Sequence, residues 1–179
     1  MEDAYIEDSV RIRLIEAGLQ ELLSHGQQDF SLRRVALAAQ VSCAAPYRHF
    51  KDKDELIRAV IAHIREDWLL LAREIEGVFE PGTHKHIAGL LAAGVRFWAA
   101  GGNFPSFLQA SELSGFDEPI SSAIKSFSEL KGLSPEDEDA LLYSILAIYY
   151  GTVTLVSAGE VDIDAAVKKL TQKLLEELK

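Results

Sequence analysis

Cysteine is all but missing from this chain: Cys43 is the one thiol in 179 residues. That excludes an intrachain disulfide framework and a cysteine-only zinc site within one chain. Proline and glycine are sparse, at five and twelve, and alternating apolar and polar runs bounded by turn pairs are missing, which argues against a sheet-built domain. The opening Met1-Glu2-Asp3-Ala4-Tyr5 lacks the basic and apolar regions of a secretory signal, so a cytoplasmic protein is expected. Positive charge is the scarcer sign, with 18 Lys and Arg against 28 Asp and Glu. Spread evenly, a net charge of −10 would repel a polyanion. Signatures of catalysis are missing too: no Gly-x-Ser-x-Gly elbow, Gly-x-x-x-x-Gly-Lys loop, His-Glu-x-x-His pair or dinucleotide-binding glycine run occurs. No enzyme, cofactor or metal is expected. His84 and His86 do not change this, because residues two apart diverge on a helix; both are expected to face solvent.

What is present is helical periodicity on a globular composition, 48 % hydrophobic and 26 % charged. A first helix is expected from about Asp8 to Ser24, with Ile12, Ile15, Leu19 and Leu22 on one face and Gly26 as its stop. Ser31 caps a short second helix carrying Val35, Ala36 and Ala39. Ser42 is placed to cap a third, from Cys43 to about Phe50. Asp52 and Glu55 form a capping box that opens a long fourth helix reaching about Phe79. Further helices are expected over Thr83–Ala100, 104–114 and 118–131. Ser134-Pro135-Glu136-Asp137 opens one that runs to about Ala158, and Asp162 caps the last, which ends at Leu178. From Ala140 to Gly159 no residue is charged, about the length of a membrane span. Its Ser and Thr content, acidic flanks and lack of Lys or Arg anchors point instead to a bundle helix or a subunit interface. No membrane partner is expected.

Charge is unevenly distributed. Between Phe30 and Lys53 stand Arg33, Arg34, Arg48, Lys51 and Lys53, against Asp52 alone. This basic stretch coincides with two short helices about a tight turn near Gln40-Val41. Such a helix-turn-helix presents the start of its second helix to base edges in the major groove of double-stranded DNA. Ala44 and Ala45 permit close approach. Tyr47, Arg48 and His49 bring a hydroxyl, a guanidinium and an imidazole to one edge, and Lys53 adds charge beside open helix amides. Cys43 is read as a small, indifferent side chain.

Ser31-Leu-Arg-Arg-Val-Ala, Ala38-Ala-Gln-Val-Ser and Pro46-Tyr-Arg-His-Phe-Lys-Asp-Lys-Asp-Glu-Leu56 together resemble the DNA-binding domain of TetR-family transcriptional regulators over residues 8–60. The resemblance implies an all-α fold: a three-helix DNA-binding domain over residues 1–53, joined by the long helix to a regulatory and dimerisation domain over 54–179. It implies that Ser31 and Arg33 lie near phosphates, that Ser42, Cys43, Ala44, Ala45 and Arg48 face the groove, and that Tyr47, His49 and Lys53 sit at the backbone; Arg34 is a further DNA-binding candidate. It also implies repression relieved by a small-molecule inducer. Gln40 stands where that family often has glycine, and Cys43-Ala44-Ala45 offers few donors for base readout.

Aromatic residues beyond position 67 are mostly core. Candidates for lining an inducer cavity are Trp68, Phe97, Phe107 and Tyr143, with Arg96, Gln109 and Glu112 as polar anchors. The last two helices carry more apolar surface, including Ala166, Leu170, Leu174 and Leu178, than a lone hairpin can hide. A homodimer through them is therefore expected. The competing classes are a helical protein-interaction module without DNA binding and an unrecognised enzyme; salt-sensitive duplex binding separates the first reading from both.

Overall fold

Short-range capping sets where the helices begin. In the computed structural model, which describes residues 2–101 and 115–178, every regular element among those residues is a helix. They are α1 (Glu2–His25), α2 (Leu32–Ala38), α3 (Pro46–His49), α4 (Lys53–Val78), α5 (His84–Ala100), α6 (Glu118–Lys131), α7 (Pro135–Ser157) and α8 (Ile163–Glu177). The Ser31 hydroxyl accepts from the Arg34 amide, Thr83 from His86, Ser134 from Asp137, and Asp162 from Asp164 and Ala165. At the start of α4, Asp52 accepts from the Glu55 amide at 2.8 Å, while Glu55 reaches back to the Lys51 amide at 2.6 Å. Gly26 and Gly132, at φ +70° and +66°, end α1 and α6 in the left-handed conformation that glycine adopts without steric cost.

Three expectations about these elements need correction. Helix α1 begins at Glu2 rather than Asp8. The third helix is only four residues long, with Ala45 as its N-cap; Cys43 and Ala44 lie in a turn closed by Ala45 N–H to Ser42 O at 2.9 Å. Pro46 is the reason: it has no amide to continue a helix arriving from Ser42, but it suits a first helical position. The third correction concerns His86, which is 3 % exposed, whereas His84 is exposed. The helix expected over 104–114 lies outside the described residues.

The chain divides into two compact units, Met1–Glu66 and Asp67–Lys179. In the first, α2 packs on α1, and Leu14, Leu22, Val35, Ala36, Leu56 and Val60 are at most 1 % exposed. A Cβ at Gly18 would lie 3.0 Å from Val60 Cγ2, so glycine lets α1 approach α4 there. In the second unit α5 is the central element, packed on α6, α7 and α8. Its Ile87, Leu90, Leu91, Val95 and Trp98 form the core together with Trp68, Ile120, Ile124, Tyr149 and Leu170. Gly94 is required where α5 meets α7: a Cβ there would stand 2.3 Å from the Tyr149 hydroxyl.

Helix α7 is long and apolar enough to cross a membrane by length and composition. Its Ile145, Tyr149 and Val153 are buried, on the helix face that packs with α5 and α8. Ala166, Leu170 and Leu174 of α8 are likewise buried inside the unit. They are therefore not the surplus apolar surface that the sequence suggested.

Candidate nucleic-acid interface

Helices α2 and α3 meet at a turn whose geometry falls on Gln40, the one non-glycine residue with positive φ (56°) among those described. Val35 and Ala36 anchor α2 in the core from one side; Ala45, Pro46 and Phe50 anchor α3 from the other. Buried on α1, Glu21 is the polar brace. Its carboxylate accepts from the Ser31 amide at 3.0 Å and from Arg34 Nε at 2.8 Å, and it pairs with His25 at 3.3 Å. Burial works to raise its pKa, but the Arg34 and Ser31 hydrogen bonds and the nearby positive charges outweigh it, and the carboxyl stays below its ordinary range. The signal for Glu21 was in the sequence as an acid on the otherwise apolar face of Leu14, Gly18 and Leu22. Sequence reasoning passed over it.

The candidate DNA-facing residues separate into three groups. Arg33, Ser42, Cys43, Ala44, Tyr47 and Arg48 are exposed, and Ser31 and His49 half-buried, so the structure brings them to the surface around the turn and α3. Tyr47 is 65 % exposed, unusually open for an aromatic ring. Arg34 and Lys53 are held from within: Arg34 by Glu21 and the Asp29 carbonyl, and Lys53 by the Gln27 carbonyl at 3.2 Å. Ala45 is turned into the core at 9 % exposure, which leaves Ala44 as the outward methyl. Lys51, counted earlier only for its charge, is exposed beside this surface.

The candidate ligand residues are not gathered in one place. Trp68 is buried, donates to the Phe116 carbonyl at 2.9 Å and packs on Phe97 at 5.6 Å between ring centroids. Arg96 is on the surface, paired with Asp164 at 2.8 Å. Tyr143 is 76 % exposed on α7. Phe107, Gln109 and Glu112 lie outside the described residues. A hollow of about 740 Å³ is lined instead by residues at the α4–α5 junction and the end of α6, including Phe79, Thr83, Lys85, Phe127 and Lys131.

The sequence model of the bacterial regulatory proteins, tetR family, matches residues 14–60, which span the region from α1 through the first turns of α4. No curated relative matches the chain. Among solved structures, a TetR family transcription regulator from Marinobacter aquaeolei VT8 superposes with a TM-score of 0.68 at 17% identity, covering 96% of this chain and 97% of that one. A transcriptional regulator from Aquifex aeolicus VF5 gives 0.67 at 21% identity, over 93% and 98%. The regulator FadR from Bacillus subtilis, in complex with stearoyl-CoA, gives 0.70 at 16% identity, over 93% and 96%. Residues 14–60 thus belong to the bacterial regulatory proteins of the tetR family, and the chain as a whole has the fold of TetR-family transcriptional regulators.

Proposed function

We propose that this protein is a repressor that binds a palindromic operator in the cytoplasm as a homodimer and is released by a small-molecule inducer. The observation that carries the DNA-binding reading is the exposed set Arg33, Tyr47 and Arg48 on a helix-turn-helix braced by Glu21. In this reading residues 1–53 bind DNA and 54–179 regulate. Ser31, Arg33, Tyr47, His49 and Lys51 contact phosphates. Ser42, Cys43, Ala44 and Arg48 face the groove, where a short donor list leaves part of the readout to DNA shape. Arg34 and Lys53 contribute charge while holding the turn.

Dimerisation is supported by the outer face of α7. Ala140, Tyr143, Ala147, Gly151 and Thr154 recur at helical spacing, are uncharged, and are exposed. Small side chains at that spacing let a two-fold copy approach closely. Inducer binding draws support from the FadR neighbour, which holds stearoyl-CoA. In this reading the inducer site of this chain lies in the second unit, where Trp68 and Phe97 meet. The test is recovery of a bound sequence from a random duplex pool, followed by anisotropy titration. Recovery of an inverted repeat supports the reading; absence of duplex binding at low salt overturns it.

A further inference from the structure

Helix α2 ends in a left-handed cap on a residue that disfavours it. The Gln40 amide donates to the Leu37 carbonyl at 3.1 Å and the Val41 amide to the Ala36 carbonyl at 3.0 Å, the paired bonds of a Schellman ending. Glycine ordinarily takes the left-handed position of that motif; here Gln40 takes it, at φ 56°. A glutamine under no other restraint relaxes towards the right-handed or extended regions. A contact from outside the turn is needed to hold it.

That contact comes from α1. Arg13 Nη1 donates to the Ala39 carbonyl at 3.4 Å, across 26 residues of chain. The carbonyl belongs to the planar peptide unit joining Ala39 to Gln40, so a hold on this plane constrains the φ of Gln40. The last turn of α2 contains no basic residue, and the guanidinium supplies from α1 the positive charge that helix-end carbonyls favour. Arg13 forms no ion pair among the described residues, so no carboxylate there draws it from the carbonyl. At the other end of α2, Glu21 accepts from the Ser31 amide. Arg13 and Glu21 stand eight residues apart on α1, as their partners Ala39 and Ser31 do across α2. Helix α1 thus grips α2 at both ends, and the Arg13 end is the one that leads into α3.

We propose that Arg13 is a positioning residue for DNA binding: it holds the Ala39–Gln40 peptide in the left-handed turn and so sets how α3 presents Tyr47 and Arg48. This rests on reading the helix-turn-helix as the DNA-binding surface and adds the residue that fixes its angle. Cys43, the chain's one thiol, is exposed just beyond Gln40, so a trifluoromethyl tag there reports on the turn without an engineered cysteine. The tagged full-length protein, free of DNA, should give a single fluorine-19 line. Arg13→Met, which keeps the apolar stem and removes the guanidinium, should broaden or split that line. Adding Gln40→Gly should restore it, because glycine keeps the left-handed turn without a brace. Untagged proteins are titrated with operator by anisotropy. Arg13→Met should lose at least about fivefold in affinity, and the same replacement in the Gln40→Gly background less than about twofold. Over a salt series the double variant should keep the slope of the Gln40→Gly protein. A slope shallower by about one per protomer would make Arg13 a phosphate contact and overturn the proposal. An unchanged fluorine line in Arg13→Met, or equal losses in both backgrounds, overturns it too. Should Arg13→Met aggregate, Arg13→Ala replaces it, since position 13 is exposed and alanine is the strongest helix former. A wild type that binds no duplex overturns the DNA-binding reading, and the fluorine line then decides the brace alone.

Discussion

Gln40 is the residue at which local preference and fold disagree most directly. A left-handed glutamine strains against its own carbonyl, and glycine would not, although glycine also loses more chain entropy on folding. Gln40→Gly should therefore stabilise the protein by up to about 1 kcal/mol, read as a raised urea midpoint at unchanged slope. His86 is strained chemically. It is buried, both ring nitrogens lack partners among the described residues, and burial holds its pKa below the ordinary value against a weaker pull from Glu76. With the folded-state pKa depressed, the unfolded chain takes up the proton first, so stability is full above about pH 6.5 and declines as pH falls below it. His86→Leu should flatten stability between about pH 6.5 and 5, measured by urea unfolding; an unchanged slope would contradict the buried, neutral histidine. Glu21 acts in the same direction at lower pH, because its depressed pKa gives stability that is lost as the carboxyl protonates.

At the scale of elements, α3 and α7 carry the predictions. Arg48→Ala should weaken operator binding by about 1–3 kcal/mol and relax preference at one base pair if the guanidinium makes a bidentate base contact. Tyr47→Ala should weaken all duplexes alike, as loss of a phosphate contact does. Parallel anisotropy titrations on operator and scrambled duplex separate the two patterns. On α7, Ala147 belongs to the exposed stripe, while its neighbour Ile148 lines a packing seam with Leu91, Leu170 and Leu174. Ala147→Glu should give a folded monomer by light scattering, with operator affinity reduced. A charge at Ile148 should instead unfold the second unit. A wild-type protein that scatters as a monomer at micromolar concentration would remove the dimer from the reading.

For the whole molecule, a chain of net charge −10 must bind a polyanion through one local surface. About six phosphates neutralised per dimer correspond to a slope near −5 for log affinity against log salt. A slope near zero would exclude phosphate-driven binding. Regulation adds a second constraint: an inducer that lowers operator affinity by some factor must itself be bound more weakly, by that factor, when operator is present. Equilibrium titrations in both orders check this. Unequal factors would mean that ligand and DNA are not linked through two states of one protein.

The sequence by itself determined the helical class, most helix starts and the position of the helix-turn-helix, because these depend on neighbours three or four residues apart. Ser31, Asp52 with Glu55, Thr83, Ser134 and Asp162 each cap a helix through contacts that short. Pro46, which cannot donate a hydrogen bond, carried the signal for a four-residue α3, but the reading of a helix from Cys43 to Phe50 missed it. Burial depends on what the far chain brings. Only the tertiary structure decided that Ala45 and His86 point inward, that Arg34 and Lys53 are occupied, and that the apolar face of α8 is spent within its own unit. Asp117 and Tyr150 stand 33 residues apart, and no local pattern joins them. Packing α6 against α7 does, since a side chain's partner is set by which helix faces it rather than by its place in the chain.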